Sequence, residues 1–156
     1  MENRENPKPV VRKRNPSDTL AARYGRRVVD GEDVEPTQFK MQDVECVSLL
    51  RRGKKFVRGF WLRQQSTKIG ANLGLVDAKY IFDHQSEIPA EYRSKIFVFT
   101  GTLLLFPGDP NQQVAVLSWC EGSWRLFFSQ LCGALWDNRV SSFRHKSLTK
   151  KWWQSP

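Results

Sequence analysis

Apolar residues along this chain come in short runs broken by glycine, proline and charge. Residues 44–50 and 56–62 are rich in β-branched, aromatic and large apolar side chains, the mark of strands. The link between them, Arg51-Arg52-Gly53-Lys54-Lys55, reads as a hairpin connection. Val44, Val47 and Leu50 also fit one face of a helix, so the first run has two readings. Gly70, Asn72 and Gly74 mark a loop, 75–82 reads as a strand, and 86–94, with Pro89 near its start, as a loop or one helical turn. The longest apolar run, 95–106, predicts a strand, and Gly101 in its middle predicts a bulge or sharp bend. Pro107-Gly108-Asp109-Pro110-Asn111 is a turn. Residues 114–120 and 123–131 then form a hairpin around Glu121-Gly122. A two-residue loop sets Trp119 opposite Trp124 in a non-hydrogen-bonded pair, close enough for the indoles to pack. In 131–146, Leu131, Leu135 and Trp136 suit a helix, whereas Gly133 and Asp137-Asn138 suit a bend and a further strand.

These elements predict a mainly β fold, with α+β as the variant. The expectation is a small antiparallel sheet or barrel with one or two short helices and extended basic tails at both ends. It resembles the five-stranded oligonucleotide-binding barrels in architecture alone and shares no motif with them. Three regions follow: a flexible basic arm and acidic linker over 1–38, a globular β-rich domain over 39–146, and a basic, tryptophan-containing tail over 147–156. Pro7, Pro9 and Pro16, with almost no core-forming side chains around them, predict that residues 1–16 are disordered or extended when free. Ser17 or Asp18 is placed to cap a short helix through Leu20, Ala21, Ala22, Arg23 and Arg27, with too few apolar residues to stand alone.

Charge changes the picture more than composition does. The 156 residues hold 25 Lys and Arg against 16 Asp and Glu, a net charge of +9. That excess is segregated. Residues 30–50 contain six acids and one lysine, and residues 51–68 contain seven basic residues and no acid. The stretch 69–138 is mildly acidic, while 1–29 and 139–156 are basic. Three basic islands around a slightly acidic body give local fields suited to phosphate. Three scattered cysteines, Cys46, Cys120 and Cys132, form no disulfide framework and fit a reducing compartment. No apolar run reaches a membrane span and the first residues are not a secretory signal. The expected location is the cytoplasm, or the nucleus in a eukaryotic or viral setting.

Candidate chemistry is of two kinds. Arg51, Arg52, Lys54, Lys55, Arg58 and Arg63 surround Phe56, Phe60 and Trp61. Cations neutralise phosphates and exposed rings stack on unpaired bases, so this island is the expected nucleic-acid site, with Trp61 as its base-stacking member. Strand alternation turns some rings inward, leaving one or two free. Arg12-Lys13-Arg14 is a second basic cluster for the same partner. Lys150, Lys151, Trp152 and Trp153 at the end of the chain form an anchor for a protein partner or for the domain itself. Asp77-Ala78-Lys79 at a strand end would match half of a metal-dependent nuclease site, with Asp43 or Glu45 as the second acid. His84 and His145 lie in no zinc spacing, and neither a metal nor a cofactor is expected.

The function expected from these residues is non-catalytic. The chain binds the phosphate backbone of RNA, ahead of DNA, as part of or accessory to a nucleoprotein complex, without a membrane partner. The alternative is a protein-interaction or structural subunit, of a virion or phage-type assembly or an inhibitor of another protein. A metal-dependent nuclease is the remote alternative.

Overall fold

A strand that is apolar at nearly every position needs cover on both faces. The computed structural model, which describes residues 16–50, 53–133 and 135–146, supplies that cover for β4 (Ile96–Leu105). The other strands are β1 (Arg27–Asp33), β2 (Val44–Ser48), β3 (Phe56–Arg58), β5 (Gln113–Cys120), β6 (Ser123–Gln130), β7 (Leu135–Asp137) and β8 (Val140–His145). The main sheet runs β2-β8-β4-β5-β6. Its neighbours are antiparallel except β4 and β8, which meet in parallel at Ile96↔Val140 and Phe97↔Ser141. β1 pairs with the far half of β4, at Arg27↔Leu105 and Val28↔Leu104. β3 and β7 form a separate two-stranded ribbon.

Among the described residues three α-helices complete the fold: α1 (Pro16–Arg23), α2 (Gly59–Lys68) and α3 (Leu75–Asp83). Alternation along β4 divides the core. Phe97 and Phe99 pack with Phe143, with Ala21 of α1 and with Leu75, Ala78 and Ile81 of α3. Val98 points the other way, into a cluster with Leu62 of α2 and Trp136 of β7. The fold is therefore mixed and β-rich, with helices on the sheet.

The barrel is a correction: among the described residues the sheet stays open, with β2 and β6 as its edges. The 51–55 link is not a hairpin, because β2 pairs with β8 and β3 with β7. Residues 56–62 are a strand only as far as Arg58. From Gly59 the chain turns into α2, whose buried positions Gly59, Leu62 and Ser66 recur at helical spacing. Residues 75–82 are helix rather than strand for the same reason, with Leu75, Ala78 and Ile81 on one face. The first amide of α3, at Leu75, donates to Thr102 Oγ1 at 2.9 Å, a cap supplied by β4. Over 16–38 the expected arm and linker are part of the packed body, since Ala21 is buried and β1 lies in the sheet.

Other expectations are met. The pairing of β4 with β5 shifts between Phe99 and Leu104, around Gly101. A Cβ at Gly101 would lie 2.2 Å from Asn72 O, so only glycine lets the 71–74 loop dock there. The β5–β6 hairpin sets Trp119 opposite Trp124, with ring centroids 5.7 Å apart at 77°. Residues 131–146 resolve into β7 and β8.

Candidate nucleic-acid interface

The described part of the island expected to hold phosphate runs from Lys54 and Lys55, just before β3, through Arg58 at the end of β3 to Arg63 in α2. In β3, alternation puts Phe56 and Arg58 on one face of the ribbon and Val57 on the other, where it packs with Trp136. The register then sets Phe56 against Asp137 and Arg58 against Leu135. Phe56 is 58% exposed and Leu135 68%. Gly59 turns the chain by closing on the backbone of Leu131: a Cβ there would lie 1.5 Å from Leu131 O. This contact aims Leu62 and Ser66 inward and leaves Phe60 outside, 65% exposed. Of the three rings in the island, Phe56 and Phe60 are therefore outside, and Trp61 is half-buried.

Two shallow grooves meet at Arg58. One, of about 280 Å³, is lined by Leu50, Lys54, Phe56, Val57, Arg58 and Trp61. The other, of about 410 Å³, is lined by Arg58, Gly59, Phe60, Cys132, Gly133 and Leu135. Lys54, Lys55 and Arg58 are exposed, and among the described residues no carboxylate pairs with them. The acid closest in register, Asp137, is held by Arg139. Its carboxylate accepts from the Arg139 side chain at 2.8–3.1 Å and from the Arg139 amide at 2.9 Å. Those bonds hold its carboxyl below the usual carboxylate range. The first turn of α2 contains no acid and has no side-chain cap, so its positive end adds to the same field.

Not every expected residue joins this site. Arg63 is engaged with Glu32 of β1. Arg12, Lys13, Arg14, Arg51, Arg52, Lys150, Lys151, Trp152 and Trp153 lie outside the described residues. Leu135, Cys132 and Gly133 were missed, because Leu135 comes beside Arg58 only through the β3–β7 register and Cys132 comes beside Gly59 only through the contact of Gly59 with the 131–132 backbone, and nothing local signals either.

The strand-end placement expected for Asp77 and Lys79 is a correction: both lie on α3. Asp77 and Lys79 stand two residues apart on α3, where side chains diverge. Asp77 is buried and accepts from Thr37 N at 3.2 Å and Thr37 Oγ1 at 2.9 Å. Burial pushes its carboxyl up despite those donors and the nearby His145. Lys79 pairs with Asp83 and Glu45 with Arg144, while Asp43 accepts from the Lys40 amide. Among the described residues no group of His, Cys, Asp or Glu is placed to hold a metal, and no helix is long and apolar enough to cross a membrane. No protein-family model, no curated protein and no solved structure matches the chain.

Proposed function

We propose that this chain is a non-catalytic protein that binds single-stranded nucleic acid, RNA ahead of DNA, at the corner formed by β3, the start of α2 and β7. One observation supports the reading above others: Phe56 and Phe60 are exposed on either side of Arg58, next to Lys54 and Lys55, with which no carboxylate among the described residues pairs. Stacking needs unpaired bases, and each stack is worth roughly 1–3 kcal/mol. The cations neutralise the phosphates between stacked bases. Arg51 and Arg52 belong to the same basic run. Part of a larger nucleoprotein assembly is the role this fits.

The test is fluorescence anisotropy with a single-stranded RNA of mixed sequence, its DNA counterpart and a duplex, in a salt series. Log affinity should fall against log salt with a slope of at least about −2 from Lys54, Lys55 and Arg58. Reversing the three charges should remove most of the binding. Phe56→Ala with Phe60→Ala should weaken the single strand and leave the slope in place. A salt-independent affinity, or duplex bound as well as single strand, overturns the proposal. Leu135 supports the second reading, a protein partner, because an exposed aliphatic side chain beside two aromatic ones suits a protein surface better than a base.

A further inference from the structure

The edges of this sheet are not alike. A free edge invites pairing with another chain unless it is short, charged, bulged or covered. β1, against the end of β4, carries Asp30, Glu32 and Asp33 and a register shift around Gly31, whose φ is +76°. β2 has five residues, and Glu45 among them is paired with Arg144. β6 has fewer of these devices: it is neither short nor bulged, and its one charge, Arg125, is paired with Glu121 of its own turn. It runs for eight residues, Ser-Trp-Arg-Leu-Phe-Phe-Ser-Gln, in unbroken register with β5 from Ser123 to Gln130. It contains no proline, lysine, acid or glycine. Among the described residues nothing pairs with its outer side.

The turn fixes which backbone groups face out. Glu121 (φ 51°) and Gly122 (φ 85°) form a two-residue loop, so the flanking pair Cys120↔Ser123 is hydrogen-bonded. Ser123, Arg125, Phe127 and Ser129 therefore bond to β5. The amides and carbonyls of Trp124, Leu126, Phe128 and Gln130 point away from the sheet.

We propose that the partner of this edge is the β6 of a second copy, in a two-fold dimer centred on Phe127. The strand complements itself in that register. Leu126 meets Phe128 of the second copy and Trp124 meets its Gln130, so all four outward residues enter the ladder. A shift of two residues either way leaves one of the four out. A shift of one puts every side chain on the wrong face. Phe127, 43% exposed, meets its own copy in a non-hydrogen-bonded pair, the arrangement that brings rings closest. Arg125 lies opposite Ser129 of the second copy, roughly 13 Å along the strand from the other Arg125, so like charges stay apart. The result is one continuous sheet through two molecules, with an isologous interface.

Sedimentation of the full chain from about 1 to 100 μM should show a reversible monomer–dimer equilibrium. Phe127→Lys sets two ammonium groups opposite each other and should weaken the dimer at least about tenfold. Ser129 tests the register, since it meets Arg125 twice per dimer. Ser129→Glu should tighten the dimer by about fivefold and Ser129→Arg should weaken it. Amide exchange at Leu126 and Phe128 should slow as concentration rises, while Arg125 and Phe127 stay protected throughout. A monomer over the whole range overturns the proposal, as does exchange at Leu126 and Phe128 that ignores concentration. Ser129→Glu and Ser129→Arg moving in the same direction overturns the register.

Discussion

Replacing Gly59 by alanine is the sharpest perturbation of this fold, because two effects of known size oppose each other there. Gly59 opens α2, and its φ is not in the left-handed region, so alanine fits the backbone. On propensity alone alanine should stabilise the helix by about 0.5–1 kcal/mol. Contact says the opposite. The new methyl would lie 1.5 Å from Leu131 O and 2.4 Å from its carbonyl carbon, whereas real Cβ atoms stay beyond 3.0 Å. The two backbones must part by about 1.5 Å. Neither is free to move. The Leu131 amide donates to Gln112 O at 3.0 Å, its carbonyl accepts from Trp136 Nε1 at 3.4 Å, and its side chain is buried. Leu62 and Ser66 hold α2 from the other side. Overpacking against a fixed neighbour costs typically 1–3 kcal/mol and outweighs the propensity gain. The expected net loss is about 1–2 kcal/mol, read as a lower urea midpoint with an unchanged slope and a melting temperature down by several degrees. Because α2 must shift with the methyl, the single-strand affinity proposed above should fall too, through Phe60. An alanine variant as stable as the wild type, or more so, would refute the close approach of α2 to residue 131 and the placement of Phe60 derived from it.

Three further outcomes follow from the same packing. Burial raises the Asp77 carboxyl, so the folded chain takes up that proton at a higher pH than the unfolded chain. Wild-type stability relative to Asp77→Asn should therefore rise as pH falls from the raised value toward the ordinary 3.8, and be flat above it. Parallel thermal melts read the difference, and a gap that moves against the wild type toward acid contradicts the burial. A double-mutant cycle with Trp119→Leu and Trp124→Leu should give a coupling of about 0.5–1.5 kcal/mol for the edge-on indoles, and zero coupling would refute the pairing. Phe143→Ala removes a buried ring stacked 4.1 Å from Phe97 and should cost about 3–5 kcal/mol in denaturant unfolding; a loss below 1 kcal/mol would contradict the stack.

What could be read in the sequence is what depends on near neighbours. The Glu121-Gly122 turn, the Trp119–Trp124 pair, the length of β4 and the bend at Gly101 each follow from a few adjacent residues. The helices could not be read this way. α3 is short, and the run Leu75-Val76-Asp77-Ala78-Lys79-Tyr80-Ile81-Phe82 satisfies strand composition as well as helical spacing. What favours the helix is remote: Thr102 caps its first amide, and the aromatic residues of β4 and β8 receive its buried face. α2 depends in the same way on Gly59 meeting Leu131. The candidate site divides along the same line. Its cations and phenylalanines sit within one run and were legible. That Phe60 rather than Trp61 is the more exposed ring depends on the switch from strand to helix at Gly59, and Leu135 enters only through long-range register.

Net charge is a poor guide to what this surface can bind. Arg63, Lys79, Arg125, Arg139 and Arg144 each have a carboxylate partner, and their fields are largely cancelled where they stand. Arg93 lies 3.9 Å from the Trp119 ring centroid, and Arg26 is spread over Phe106 and Phe128. Burial lowers the pKa of Arg26, a sign that its site favours the cation less than water does. Such cations serve packing. Lys54, Lys55 and Arg58 differ because their local acid, Asp137, is already committed to Arg139. They also stand beside exposed rings, and the two properties coincide at this corner of the fold. A cation without a ring would hold phosphate of any kind, and a ring without a cation would hold any flat apolar group. The selectivity proposed for the β3–α2–β7 corner, toward a flexible polyanion with faces to stack, rests on their overlap over a few residues rather than on a total of +9.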